Sequence, residues 1–474
     1  MTSNQGTPDH ILVQMPEAEE QRSEFVMEKC KEFTSAMEDV RKQGGVSSSQ
    51  GTKPLIQRVS TVLKEMKSDF KKCFEPMLVA LGPLHHGNPK FDRAEESKLK
   101  YAAVFAFENK TSGDILFGKI MKEIQDLRNC YKPKDTEGYD DEKLAWMLFI
   151  DGCAVLCAIH YGMKRQFEKL NTKVDRLIFA QLDLFLLENQ IPYRVLQILI
   201  DSAIDPQEWK QSITNFISQN LMTNIDRDQH KSRINAAEGR EDYAHLLERL
   251  RRELLTGVDE DEQKSNMIGR MLLRCGDSRT NRIRKTFRSI KELKESGIHV
   301  KPSKTRNLQN ISFYCRFLGK IRMPRLLVDD STAAMFMNLV ALEMCRDFNN
   351  NFEVTAYLCF LDSLIDTAED VKELRVVGML HNYLGSDEEV ADLFNKMSRD
   401  LVPDQGMYSV VIDDIHKFCN NPWTPAAAQV YYTHFSSPWT FIALLGAIIS
   451  LLFSATQAYF SLPGNRPENE QSPH

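Results

Sequence analysis

The sequence of 474 residues lacks the compact signatures of the common enzyme classes. No phosphate-cradling glycine loop, no Gly-x-Ser-x-Gly elbow and no His-Glu-x-x-His helix occurs. Nothing local therefore points to nucleotide hydrolysis, to an α/β-hydrolase nucleophile or to a zinc protease, although catalytic groups need not be neighbours in sequence. The ten cysteines are scattered and form no Cys-x-x-Cys pair, which argues against a zinc ribbon or a disulfide framework and suits buried thiols in a reducing compartment. There is no excess of positive charge: the net charge of −6 excludes a general attraction to nucleic acid. Near the N-terminus the longest apolar piece is Ile11-Leu12-Val13, far short of a signal-peptide core. Hydrophobic content of 42% and charged content of 27% are those of an ordinary folded protein, and the length allows more than one domain.

One stretch departs from that ordinary composition. Residues 441–460 read FIALLGAIISLLFSATQAYF and carry no charge. Trp439 and Tyr459 flank the run, and at about 1.5 Å per helical residue they stand roughly 30 Å apart, the thickness of a bilayer's hydrocarbon core. Aromatic rings at both ends of an apolar helix mark the two interfaces of a membrane span. The run from Phe441 is thus expected to be a single membrane helix over residues 439–460, with the body cytosolic, the 461–474 tail across the membrane, and the plasma membrane the expected location. A buried core helix is the competing assignment. Gly446, Ser450 and Ser454 recur every fourth residue, as do Ala443 and Ala447, a spacing that lets two helices approach closely and predicts a homo-oligomer.

Residues 1–52 are polar and read as a disordered arm, with a helix around 17–41. From Leu55 the residues Ile56, Val59, Val62, Leu63 and Met66 recur at helical spacing. A segment with Gly82, Pro83, His85, His86 and Gly87 then reads as an extended piece ending in a turn. Adjacent histidines on extended chain face opposite sides, so one is expected to pack and the other to face outward; no further ligand lies at metal spacing. Helices are expected over 93–128 and 142–164. In the second, Cys153, Cys157 and His160 share a face. Their apolar neighbours favour core packing over a metal site, and no metal or cofactor is expected. In the run Leu187-Glu188-Asn189-Gln190-Ile191-Pro192, proline must end or kink a helix and free carbonyls one turn back. Glu188, Asn189 and Gln190 can satisfy such groups, so a polar knot at a helix junction is favoured over catalysis.

These motifs together resemble the plant family catalogued as domain of unknown function 247. The likeness rests on Gly-Pro-Leu-His-His-Gly, Asp151-Gly152-Cys153, Leu-Leu-Glu-Asn-Gln-Ile-Pro, Met323-Pro324, Asn338-Leu339-Val340-Ala341-Leu342-Glu343, residues 384–390 and Pro438-Trp439. It covers residues 55–460, departing from the usual pattern at Leu84 and Ser60. The resemblance implies a plant protein with one C-terminal membrane helix and no established enzymatic activity. It also implies a link to grass self-incompatibility, where members are candidate determinants of pollen recognition.

The remaining body, within 53–435, is expected to be helical. A charged insertion over about 205–296 reads as a solvated linker with helices at its ends, and its basic block from Arg270 to Lys294 is too interrupted by acids for nucleic acid. Short strands are expected within 298–324, then helices over 332–348, 354–367, 371–384 and 387–397, the last opened by a Ser386/Glu389 capping box. The fold class is therefore mainly α, a multi-helix body with a small β-sheet plus a transmembrane helix. The expected function is recognition of, or signalling to, an unknown protein partner; the alternative is a hydrolase-like enzyme using His85 or His86 with a cysteine or carboxylate.

Overall fold

A computed structural model describes residues 28–35, 37–38, 55–223, 242–256, 289–303, 305–315, 318–345, 351–402, 406–420 and 438–461. The described residues fall in two units, one holding the helical residues 28–35 and 37–38 and the other those from 55 onward. The second unit is mainly helical with two small sheets.

Helical spacing from Leu55 overstates the first helix. Only Thr61–Met66 (α1) is helical, and Leu55 and Val62 are exposed. The amides upstream have other partners: Ile56 donates to Cys130 O and Val59 to the Glu188 carboxylate. The expected helix over 93–128 is three: Asp92–Glu108 (α2), Gly113–Lys122 (α3) and Ile124–Asn129 (α4). The first break follows from its residues. Asn109 turns its side-chain amide back onto Phe105 O, Lys110 takes a left-handed conformation, and the Ser112 hydroxyl caps the Ile115 amide.

Asp141–Met163 (α5) is the axis of the body. It opens on Asp140, whose carboxylate accepts from the Lys143 amide, and from Met147 to Tyr161 it is almost wholly apolar because every side is covered. Cys153, Cys157 and His160 lie on it and are buried, as core packing requires. A Cβ at Gly152 would stand 2.6 Å from Leu199 Cδ1 and 2.7 Å from Val195 Cγ1, so glycine sets how closely Tyr193–Ile200 (α7) approaches. Between them in sequence, Val174–Asp183 (α6) stops at Asp183, and Pro192 precedes α7.

Both described ends of the charged stretch are core helices, not solvated ones. Pro206–Gln219 (α8) buries Trp209, Ile213, Phe216 and Ile217. Leu246–Leu255 (α9) buries Leu246, Leu247, Leu250 and Leu254. The basic block up to 288 lies outside the described residues; beyond it Ile290–Glu295 (α10) buries Ile290 and Leu293 while Lys294 pairs with Glu373.

The expected strands form a three-stranded sheet: Ile298–Pro302 (β1), Ser312–Cys315 (β2) and Gly319–Met323 (β3). β3 is central, parallel to β1 (Val300 opposite Ile321) and antiparallel to β2 (Phe313 opposite Ile321). Leu326–Val328 (β4) pairs in parallel with Leu380–Asn382 (β5), where a helix running to Leu384 was expected. Between them come Thr332–Glu343 (α11), Glu353–Leu364 (α12) and Ala368–Val376 (α13). α13 ends early because Gly378 takes φ +69°, the left-handed conformation that closes a helix. In Asp387–Ser398 (α14) the Ser386 hydroxyl caps the Glu389 amide as expected, and Glu389 reaches back to the Gly385 amide. Ser409–Asn420 (α15) follows, and Pro438–Ser461 (α16) is the apolar helix.

Glu343, the last residue of α11, is wholly buried and opens α12. Its carboxylate accepts from the Val354 and Thr355 amides and the Thr355 hydroxyl, and also holds the Arg251 guanidinium at 2.8 Å. An ionised acid at a helix N-terminus meets unpaired amides and the positive end of the dipole together.

Two buried histidines make the body acid-sensitive. His160 stacks on Trp209 at 4.1 Å and shares a hydrogen bond with the Ser212 hydroxyl; burial holds its pKa down at about 4. His245 caps α9 by accepting the Glu248 amide at Nδ1, and burial likewise holds it at about 4. A folded-state pKa below the ordinary 6.5 means stability that is present above pH 6.5 and is lost as pH falls towards 4, on the order of 3 kcal/mol per histidine. Urea denaturation of the full chain between pH 7.5 and 4.5 is expected to show this loss, with a shallower slope in His245→Asn, which keeps a capping oxygen. Equal slopes would contradict the assignment.

Candidate functional site

The motifs converge on a segment that belongs to no sheet and passes from the surface, where Met77 and Leu78 are exposed, into the core at Ala80, Leu81 and Gly82. Residues 76–82 carry the sequence Pro-Met-Leu-Val-Ala-Leu-Gly between two turns. A segment outside any helix or sheet leaves its amides and carbonyls to be paired some other way, and burial without pairing costs about 1–3 kcal/mol per group. Side chains from distant helices supply the partners. The Asp183 carboxylate accepts from the amides of Met77 (2.9 Å), Leu78 (2.7 Å) and Val79 (2.9 Å). Asn189 accepts from the Leu81 amide at 2.7 Å and donates to the carbonyls of Val79 and Asp183. Asp151, on α5, accepts from the Gly82 amide at 2.8 Å. Lys98, on α2, donates to Ala80 O and to Asp151, and pairs with Glu95 as well.

The electrostatics agree with this role. Burial pushes the Asp183 carboxyl above the ordinary range while the three amides pull it back. Burial pushes Lys98 down, and the Asp151 charge together with hydrogen bonds from Asp151 and Glu95 more than reverses it, so the ammonium is held. Three acceptors for three N–H bonds leave this lysine saturated.

The rest of the motif closes the crossing. Gly82 takes φ +65°, and a Cβ there would meet Gln190 O at 2.8 Å and the Tyr131 hydroxyl at 2.9 Å. The Gln190 side-chain amide donates to the Leu184 and Leu186 carbonyls freed after α6. Leu187 donates its amide to Asn338, which itself donates to Cys73 O. Glu188 accepts from the Val59 amide and Lys64. Pro83, Ile191 and Pro192 are buried, Ile191 beside both Gly82 and Gly152.

The two histidines sit on the turn that follows. His86 is exposed and edge-on to Tyr139, whereas His85 is largely packed, its Nε2 3.7 Å from Glu188 Oε2. Burial lowers the His85 pKa against the pull of Glu188, so the ring is neutral. Gly87 closes the turn at φ +78°. Among the described residues no three His, Cys, Asp or Glu side chains gather as metal ligands. Gly446, Ser450 and Tyr459 lie far along the chain on α16: Gly446 has open space beside it, and Ser450 and Tyr459 are exposed. The Phe441 side chain lies outside the described residues.

Beside the crossing lies a cavity of about 230 Å³ between the segment, α2, α5 and α6. Its walls include Met77, Val79, Ala154, Ala158, Leu177 and Leu184, and its cationic lining residues include Arg93 and Arg176. Reading by sequence passed over Asp183, Lys98 and both arginines. Asp183 was the findable one, an acid at the end of an apolar helix just before the Glu-Asn-Gln run.

Comparison with known proteins follows the same residues. The DUF247 family model, described as a plant protein of unknown function, matches residues 56–453. The Arabidopsis thaliana UPF0481 protein At3g47200 is 27% identical over 419 residues, covering 84% of this chain and 85% of that protein. The putative UPF0481 protein At3g02645, also from Arabidopsis thaliana, is 21% identical over 487 residues, covering 85% and 89%. No solved structure matches the chain.

Asp183→Asn tests the crossing. Asparagine keeps one acceptor oxygen but turns an NH₂ towards amides that also donate, so a loss of about 3 kcal/mol is expected in urea denaturation. A loss below about 1 kcal/mol would remove Asp183 as the anchor of the segment.

Proposed function

The chain belongs to the plant DUF247 family, and from that premise we propose that it is a membrane-anchored recognition or signalling protein that acts by binding another protein. The observation that carries this is the contrast between two helices of equal mean hydropathy. Over its most apolar window, α5 is 94% buried; residues 442–459 of α16 are 0% buried. Only the second has an apolar surface in need of a solvent. Ile442, Leu445, Ile448, Ile449, Leu451, Leu452 and Phe453 are all at least 42% exposed. At about 1.5–3 kcal/mol per large apolar side chain, leaving them in water would cost on the order of 10 kcal/mol. The 24-residue helix is about 36 Å long, enough to cross a bilayer. Two of its hydroxyls are already spent inward, Ser454 on Ser450 O and Thr456 on Leu452 O, which lowers the cost of transfer to lipid.

The location we assign is the plasma membrane with the body cytosolic, and the process, on the family resemblance, is pollen recognition in self-incompatibility. Binding is favoured over catalysis because the motif's polar groups are committed to holding the backbone. The hydrolase alternative has one feature in its favour, the His85–Glu188 approach. Glu188 is however already engaged by Val59 and Lys64 through its other oxygen.

After gentle lysis and high-speed centrifugation the full chain is expected in the pellet, released by detergent and not by alkaline carbonate. Replacing Leu445, Ile449 and Phe453 with Asp should move it to the supernatant. Wild-type chain in the supernatant would end the anchor assignment. Self-association is expected through the small-residue face, so Gly446→Leu with Ser450→Leu should reduce crosslinked dimer in membranes several-fold, and undiminished dimer would count against that face.

A further inference from the structure

The cavity beside the crossing has a lining that nothing in the membrane-anchor reading uses. Its walls are apolar, with Met77, Val79, Leu81, Val155 and Leu177 among them, and its lining includes four cationic side chains and no carboxylate. The four cations are not equivalent. Lys98 is buried and saturated by Asp151, Glu95 and Ala80 O. Lys90 spends one N–H on Pro76 O and keeps two. Arg93 and Arg176 are exposed, and neither guanidinium makes a hydrogen bond or ion pair among the described residues. They stand on different helices, α2 and α6, and both line the same cavity. The Tyr101 hydroxyl and Thr172, hydrogen-bonded to each other, add a polar step at the same lining.

An apolar chamber with a cationic mouth selects an amphiphile with an anionic head. We propose that this cavity binds a free single-chain organic anion, a carboxylate or phosphate monoester on an apolar body of about nine carbons. The size follows from volume: a dry apolar cavity of about 150 Å³ takes a benzene ring of six carbons, so about 230 Å³ takes roughly half as much again. A two-chain membrane lipid does not fit. The head is placed by Arg93 and Arg176, whose planar forks match a carboxylate or phosphate, with Lys90 beside them. Position gives the site a consequence. Met77, Leu78, Val79 and Leu81 form part of the lining, so a bound chain would press on the same segment that Asp183 and Asn189 hold.

The test uses the full chain in nanodiscs of zwitterionic lipid, or in buffer should it stay soluble, titrated with decanoate, octyl phosphate and decan-1-ol. Both anions are expected to bind saturably below 1 mM and about tenfold more tightly than the alcohol. Arg93→Ala with Arg176→Ala, both at exposed positions, should erase the tenfold preference and leave decan-1-ol unchanged. Ala154→Leu, and independently Ala158→Leu, should fill the chamber and abolish binding of all three, with far-UV circular dichroism confirming the fold. Phosphatidylcholine vesicles with and without phosphatidate serve as the lipid arm and are expected not to displace decanoate. No saturable binding, an unchanged preference in the arginine variant, or displacement by phosphatidate vesicles would each overturn the proposal.

Discussion

A buried polypeptide backbone must have its hydrogen bonds made by something, and in this protein side chains do what a neighbouring strand does elsewhere. Residues 76–82 bend from the surface into a helical body, and among the described residues they pair with no strand. Asp183, Asn189, Asp151 and Lys98 reach in from three directions and pair the segment group by group. Because those partners come from α2, α5 and the turn after α6, the crossing fixes how these elements sit against one another. The same logic recurs at Glu343, which opens α12 and holds Arg251, and at Asp370, whose carboxylate accepts the Lys291 and Thr367 amides. Polar residues that pair backbone are thus conspicuous in the sequence, because a mainly helical fold with irregular crossings needs them.

The cost of this construction is a set of buried charges. Taking a lysine and a carboxylate out of water costs several kcal/mol per ion, and only close pairing with every remaining donor satisfied brings that back. Lys98 and Asp151 meet both conditions at 2.5 Å, as does Glu343 with its amides and arginine. Breaking one partner strands the other. Such networks are less tolerant of substitution than an apolar core, and they specify one arrangement of the elements.

What could be read from residues alone follows the same physics. Periodicity found α5, α12 and α14 closely, because long apolar faces and caps such as Ser386 are local signals. The polar knot at Glu188-Asn189-Gln190 was legible but not its cause: α6 ends at Asp183, not at Pro192, the carbonyls that Asn189 and Gln190 hold are those freed there, and Glu188 instead accepts from Val59 and Lys64. Illegible were the breaks at Asn109 and Gly378, where single side chains or a left-handed glycine overrode the helical period. The extension from Ile56 to Ser60 was hidden too, its amides being claimed by partners as distant as Glu188. The cavity and its arginines were invisible in principle, since Arg93 and Arg176 come to one cavity only once α2 and α6 are packed. Composition also made α5 and α16 look alike; burial separates them, which no periodicity could do.

The central claim is that side chains alone hold a sheetless crossing in the core. Hydrogen–deuterium exchange read by mass spectrometry reports on it directly, since amides bonded to Asp183 and Asn189 exchange only when the crossing opens. The account predicts that the 76–82 peptide of the full chain exchanges as slowly as α5, and that in Asn189→Ala it exchanges at least tenfold faster while α5 keeps its protection. Fast exchange of 76–82 in the wild-type chain, at the rate of an exposed loop, would contradict it.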